Sequence, residues 1–256
     1  IYIMGKVIAL VNQKGGVGKT TTAVNLASFL ARLGKKVLLV DLDPQANASS
    51  GLGIELGDED GHVYHAMLEP EKSTSFIKPT QVDGLHAVPS HRDLAGASVE
   101  VVNLEKRELC LRRSIDTLKE LYDFVLIDCP PSLGLLTING LVAADHIIIP
   151  VQAEYYALEG LGQLLHTIGL IQSHLHPDLN ILGAVITMFD KRNKLSQSVM
   201  QELYGYFPNR IFRSIIPRNV RLAEAPSYGQ PICEYDIDSK GSKAYDRLAR
   251  EFLTHF

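Results

Sequence analysis

Short runs of Val, Ile and Leu recur along the chain, and longer stretches with apolar residues at helical spacing separate most of them. The runs predict strands over 6–12, 37–42, 85–88, 124–128, 146–151, 181–188 and 211–216. The helical spacing predicts helices over 19–33, 94–121, 135–143, 158–174, 196–206 and 243–256. Strand and helix in alternation signal an α/β fold, a mostly parallel twisted sheet with helices on both faces. The runs are apolar throughout rather than at every second position, as strands covered on both sides should be. Between 55 and 81 the sequence turns irregular and polar, which predicts short helices or loop. No internal repeat or low-complexity linker divides the chain, so residues 1–256 are expected to form a single domain. In the last predicted helix, Tyr245, Leu248, Ala249, Phe252 and Phe256 share one stripe. Asp246 and Glu251 dilute the basic character of the other face, so the stripe is expected to pack on the core rather than enter a membrane.

Composition narrows the picture. A chain of 256 residues, 46% hydrophobic, can bury a sizeable core. A net charge of −4 excludes a protein coated in positive charge, so any nucleic-acid binding has to come from a local patch. The three cysteines, Cys110, Cys129 and Cys233, lack metal-type spacing and suggest a reducing, cytoplasmic setting. No apolar run approaches the length of a membrane span, and the apolar start gives way to a polar loop instead of a secretory signal. Met4 is a candidate start, which would leave Ile1 to Ile3 as a remnant.

Residues 13–21, Gln13-Lys14-Gly15-Gly16-Val17-Gly18-Lys19-Thr20-Thr21, follow an apolar run and precede a helical pattern. Strand, glycine-rich loop, helix is the context of a P-loop NTPase fold. Glycines let successive backbone N–H groups turn inward around a phosphate, and the helix N-terminus adds partial positive charge. Lys19 can reach the outer phosphates and Thr20 can offer its hydroxyl to Mg²⁺. The first glycine of the ordinary pattern is replaced by Gln13, and an early lysine, Lys14, precedes the glycine pair. In this the loop resembles the deviant P-loop ATPases, which work as nucleotide-sandwich dimers and reach across with the early lysine.

Two further strand ends carry acids. The run 37–40 ends in Asp41-Leu42-Asp43-Pro44-Gln45, where acids two apart point the same way from an extended chain. One of these two carboxylates could orient water at the γ-phosphate, and the resemblance to the deviant P-loop ATPases implies that it is Asp43, for this and for the metal. The run 124–127 ends in Asp128-Cys129-Pro130-Pro131-Ser132; Asp128 is expected to hold Mg²⁺ through water, and Cys129 to be a core thiol.

The set KGGVGKTTT, DLDPQAN, DCPPS, AEYYALEGL and IPRNVRLAEAPS resembles the ParA/Soj family of chromosome- and plasmid-partitioning ATPases over nearly the whole chain. The P-loop alone would also fit the MinD and iron-protein families. The resemblance implies ATP and Mg²⁺ as cofactors and an ATP-bound homodimer in which Lys14 contacts the partner's nucleotide. It further implies that Gly16 permits close subunit approach, that Asp43 supports hydrolysis, and that Pro217 and Asn219 flank the adenine. Glu154 would lie near the dimer face, though an acid at a helix start reads equally well. A DNA-bound, ParB-like partner would stimulate hydrolysis.

Charge patterning adds a separate signal. Between Lys191 and Arg221 there are seven basic residues, Lys191, Arg192, Lys194, Arg210, Arg213, Arg218 and Arg221, against one acid, Glu202. The following stretch reverses sign through Glu224, Glu234, Asp236 and Asp238. With no base-stacking aromatics and no reading helix, this predicts phosphate contact with double-stranded DNA without sequence reading, led by Arg192, Arg218 and Arg221. A nucleoid-associated place in the cytoplasm follows from the resemblance. His62, His65, His86 and His91 show no Cys or acid spacing that supports a metal site. Two rivals remain, a MinD-like membrane-cycling division-site regulator and a ParA-like positioning ATPase for a non-DNA cargo. The first would need a basic amphipathic tail beyond the last helix.

Overall fold

The computed structural model describes residues 5–57, 60–101, 104–154 and 160–256. Ile1 to Met4 lie outside the described residues, as do Tyr155, Tyr156 and the expected helix start at Leu158. The strands are β1 (Lys6–Leu10), β2 (Val37–Asp41), β3 (Lys78–Pro79), β4 (Leu85–Val88), β5 (Phe124–Asp128), β6 (His146–Gln152) and β7 (Asn180–Thr187). The helices are α1 (Lys19–Arg32), α2 (Asn47–Gly51), α3 (Val63–Leu68), α4 (Leu94–Glu100), α5 (Cys110–Leu118), α6 (Leu135–Ala143), α7 (Leu161–His174), α8 (Lys194–Tyr206), α9 (Val220–Glu224), α10 (Ile232–Tyr235) and α11 (Lys240–Leu253).

Alternation within each run builds two cores. In β1, Val7 and Ala9 face one side of the sheet while Ile8 and Leu10 face the other, and all four are buried. β2 divides likewise into Leu38 and Val40 against Val37 and Leu39, and β5 into Val125 and Ile127 against Phe124 and Leu126. One core takes apolar residues from α3 to α8, the other from α1 and α9 to α11. Tyr245, Leu248, Ala249 and Phe252 of α11 are buried in the second core as expected, while Phe256 stays 46% exposed.

The sheet order is β3-β4-β2-β5-β1-β6-β7, with every pair parallel except β3 with β4. The chain leaves β1 for β2 on one side and later fills β6 on the other. The carboxyl end of β1 is therefore the switch point where α/β sheets bind ligands.

Three expectations need correction. The run 211–216 does not form a strand; it lies along β7 through isolated bridges at Ile211 and Pro217. The Glu251 carboxylate of α11 accepts the N–H groups of Arg213 (2.6 Å) and Ser214 (2.8 Å), diverting them from a ladder. The stretch 94–121 is not one helix: Lys106 takes a left-handed φ of 57°. The Asn139 side chain holds the break, accepting from Leu111 N and donating to Arg107 O. The polar segment 55–81 contains, besides the expected short helices, the antiparallel edge strand β3. Among the described residues no helix is long and apolar enough to cross a membrane.

Candidate active site

Beyond β1 the chain forms a loop that enters α1 at Lys19. Gly16 and Gly18 sit at φ values of 73° and 85°, a region side chains disfavour, which is why glycine occupies both. The loop is pinned from neighbouring strands. Asn12 Nδ2 donates to Pro150 O at 2.8 Å, its Oδ1 accepts from Lys14 N at 3.0 Å, and Thr187 Oγ1 donates to Val17 O at 2.7 Å. The buried Lys19 bends back so that Nζ donates to Lys14 O at 3.3 Å. Burial pulls the Lys19 ammonium below its usual pKa, and Asp128, Cys129 and Asp43 oppose this. A Cβ added at Gly15 or Gly16 would meet nothing within 4 Å, so this side of the loop is open. Half-buried Lys14 flanks it, with no ion pair to its ammonium among the described residues.

β2 and β5 end in register, Asp41 opposite Asp128, and β1 places Leu10 beside Asp128. The two carboxylates have different surroundings. Asp41 accepts from Ser49 N (2.8 Å), Ser49 Oγ (2.7 Å) and Asp43 N (3.2 Å), so it fastens the strand end to α2. Burial still pushes it up to about 6. Asp128 is fully buried and neither oxygen has a hydrogen bond of good geometry, although a loose contact with the Thr20 hydroxyl and the Lys19 charge oppose the rise in its pKa. Burial and then the Asp41 charge drive that rise. An orphaned buried carboxylate facing Thr20 is the donor set that a hydrated Mg²⁺ would satisfy. Asp43, 7% exposed, accepts Gln45 N at 3.0 Å through Oδ1.

The unpartnered Asp128 has a consequence for stability. Its folded pKa lies above the unfolded value, so its contribution is most favourable below the ordinary carboxylate range and is lost as pH rises through the raised value. Asp128→Asn should therefore stabilise the nucleotide-free protein at neutral pH by about 1–2 kcal/mol. Urea unfolding checks this, and the gain should shrink at pH 5. No gain at neutral pH would mean that the charge is better solvated than the geometry implies.

Thr21, Gly18, Thr187, Met188, Pro217 and Asn219 help line a cavity of about 170 Å³ beside the loop. Met188 adopts φ 50°, a strained turn that ends β7 at the cavity. A second, larger depression of about 1040 Å³ is lined by Lys191, Arg192, Arg213, Arg218, Lys240, Lys243 and Arg247, with Asp190 the one acid among its lining residues. Arg192 forms a two-pronged pair with Asp190, and Arg218 Nη2 approaches Glu154 Oε1 at 3.3 Å. Arg221 lies outside this lining, paired with Glu224 (3.0 Å) and Asp236 (3.3 Å). The structure thus brings together Lys14 to Thr21, Asp43 and Asp128, and separately Arg192 and Arg218. Sequence reading missed the anchors Asn12 and Thr187 and the Ser49 clamp. It also missed Lys240, Lys243 and Arg247, whose spacing of three and four residues on one helix was a legible signal.

The family model described as "AAA domain" matches residues 5–181. The sporulation initiation inhibitor protein Soj of Bacillus subtilis is 53% identical over 248 residues, covering 97% of this chain and 98% of that protein. The chromosome-partitioning ATPase Soj of Treponema pallidum is 51% identical, covering 98% of each. Cobyrinic acid a,c-diamide synthase from Mycobacterium smegmatis, solved with bound ADP and magnesium, superposes with a TM-score of 0.86. It is 36% identical, and the match covers 98% of this chain and 95% of that one. At these identities over nearly the whole length, the chain belongs to the Soj/ParA family of chromosome-partitioning ATPases.

Proposed function

We propose that this ATPase dimerises on binding ATP and Mg²⁺, then grips DNA without reading its sequence, and drives chromosome or plasmid partitioning with a ParB-like partner. Its working place is the nucleoid in the cytoplasm. The observation that carries this reading is a shared wall: Pro217 and Arg218 line both the cavity beside the phosphate loop and the basic depression. A base seated against Pro217 and Asn219 therefore bears directly on the segment that presents Arg218 to DNA.

The geometry is compatible with the roles that the family resemblance implies. The N–H groups of Gly15, Gly16, Val17, Gly18, Lys19, Thr20 and Thr21 surround the phosphates, at the positive end of α1. Lys19 leaves the Lys14 carbonyl for the outer phosphates. Thr20 and Asp128, with Asp43 nearby, would hold Mg²⁺, which when bound screens charge on the phosphate oxygens. Asp43 orients the attacking water. Lys14 crosses to the partner subunit's nucleotide, where the open face at Gly15 and Gly16 leaves room for approach. Loss of the γ-phosphate removes that bridge, returns the subunits to monomers and releases DNA.

Around the depression, exposed ion pairs such as Arg192 with Asp190 are worth little in water and exchange readily for phosphate. Arg221 gives up Glu224 and Asp236 in the same way. With about three phosphate contacts per subunit, a dimer makes about six, giving a log–log salt slope near −5. The test is DNA retention with ATP, ADP and no nucleotide at two ionic strengths. ATP-dependent, salt-sensitive retention is expected, and Arg218→Glu should weaken it about tenfold or more while leaving ATP-driven dimerisation intact. Retention that ignores nucleotide, or an unaffected Arg218→Glu variant, removes the DNA assignment and leaves a non-DNA cargo. A membrane-cycling role finds little support, because the apolar stripe of α11 is spent on the core.

A further inference from the structure

Away from the nucleotide site, two segments distant in sequence meet at the carboxyl end of β4. Val63, the first residue of α3, donates its N–H to Pro89 O at 2.8 Å, which draws His62 against the loop that carries His91 and Asp93. His62 is 4% exposed and its side chain faces the His65 N–H as the cap of α3, while Nδ1 is buried without a hydrogen bond of good geometry. His91 Nδ1 lies 3.1 Å from Asp93 Oδ2. One ligand atom from each of His62, His91 and Asp93 falls within 4.8 Å of the other two. A fourth group, His65, stands beside them: its ring centre is 4.4 Å from that of His62, and its Nδ1 accepts His62 N at 3.3 Å, which leaves Nε2 as its remaining ring nitrogen.

Packing accounts for the stacked rings of His62 and Tyr64, and helix capping for the His62 contact with the His65 N–H, but neither accounts for His91 and Asp93 converging on a buried imidazole. We propose that His62, His91 and Asp93 form a site for a first-row transition-metal ion, with Zn²⁺ or Co²⁺ as the fitting occupant. Two imidazoles and one carboxylate suit these borderline ions and not Mg²⁺, which prefers oxygen ligands. Water or His65 Nε2 completes a tetrahedron. Bonds of about 2.0–2.1 Å require ligand atoms about 3.4 Å apart, so the ring of partly exposed His91 and the exposed Asp93 side chain close in on the fixed His62. The site would stitch the start of α3 to the loop after β4. Within that loop Ser90 N donates to Ser49 Oγ at 3.0 Å, and Ser49 Oγ in turn holds Asp41. The sequence hid the cluster because its members come from segments joined only by the fold.

The experiment uses the full chain without an affinity tag, stripped with chelator and kept in excess Mg²⁺ so that the Asp128 site is occupied by a hard ion. Zn²⁺ is titrated in competition with a chromophoric chelator, and Co²⁺ is followed by its visible absorption. One ion per chain is expected, with tetrahedral Co²⁺ absorption. His91→Ala and Asp93→Asn, both on the surface loop, should each weaken binding about tenfold or more. His174→Ala, which removes an exposed histidine at the end of α7, should leave binding unchanged. No stoichiometric binding, binding unchanged in both loop variants, or equal loss in His174→Ala overturns the site.

Discussion

Replacing Asp43 by alanine is expected to lower ATP turnover by about 10²–10³-fold and to leave an ATP-bound dimer that does not reset. Of the two neighbouring acids, only one has an oxygen free to act. Asp41 is engaged three times, by Ser49 N, Ser49 Oγ and Asp43 N, and serves the loop. Asp43 engages only Gln45 N, through one oxygen, and Pro44 turns the chain away immediately after it. Its other oxygen has no hydrogen-bond partner among the described residues, which leaves a carboxylate able to accept a proton from water at the phosphate loop. Phosphate release at saturating ATP measures the loss, and light scattering with ATP measures the retained dimer. Asp43→Asn keeps the size and the Gln45 contact while removing the charge, so it should be nearly as slow. Turnover near that of the unaltered protein in either variant would assign the water to another group.

The fold was legible wherever a strand is buried on both faces, because such strands must be apolar at every position. β1, β2 and β5 were therefore visible as continuous runs, and with them the residues at their carboxyl ends. The loop at 13–18 was legible because only glycine tolerates the φ values found at Gly16 and Gly18. What escaped depends on side chains from distant elements. The run 211–216 has strand composition, but Glu251 takes two of its N–H groups. The stretch 94–121 has helical spacing, but Asn139 stabilises a break inside it. The anchors of the phosphate loop, Asn12 and Thr187, escaped for the same reason: each matters through one hydrogen bond to a loop or strand that only the sheet order brings near.

That sheet order also connects the two ends of the proposed cycle. From Val17 O the path runs through the Thr187 hydroxyl to the strained Met188, then to Phe189, which accepts Arg218 N at 3.2 Å. Such a path is short, yet spatial proximity alone does not couple two sites. In the proposed cycle the element with two discrete states is the subunit pair, which would assemble with ATP and part without its γ-phosphate. Two basic depressions on one particle would then raise DNA affinity by adding contacts rather than by remodelling either one.

The proposed cycle makes Lys14 the decisive residue for that assembly. A charged hydrogen bond to phosphate contributes about 1.5–3 kcal/mol. A symmetric dimer makes the contact twice, so Lys14→Ala should weaken ATP-dependent dimerisation by about 10²–10⁴-fold. Nucleotide binding to the single subunit should change far less, because Lys19 and the loop N–H groups remain in place. The comparison is cleanest in an Asp43→Ala background, where hydrolysis does not deplete the dimer: sedimentation with ATP should give a dimer for Asp43→Ala and a monomer for the double variant. Lys19→Ala serves as the contrasting case, since it should lose nucleotide affinity before any subunit contact arises. DNA retention should fall with the dimer in Lys14→Ala, although no residue of the basic depression has been altered. A double variant that still pairs at the same protein concentration would mean that the open face at Gly15 and Gly16 docks through surface contacts alone, with the Lys14 ammonium left in water.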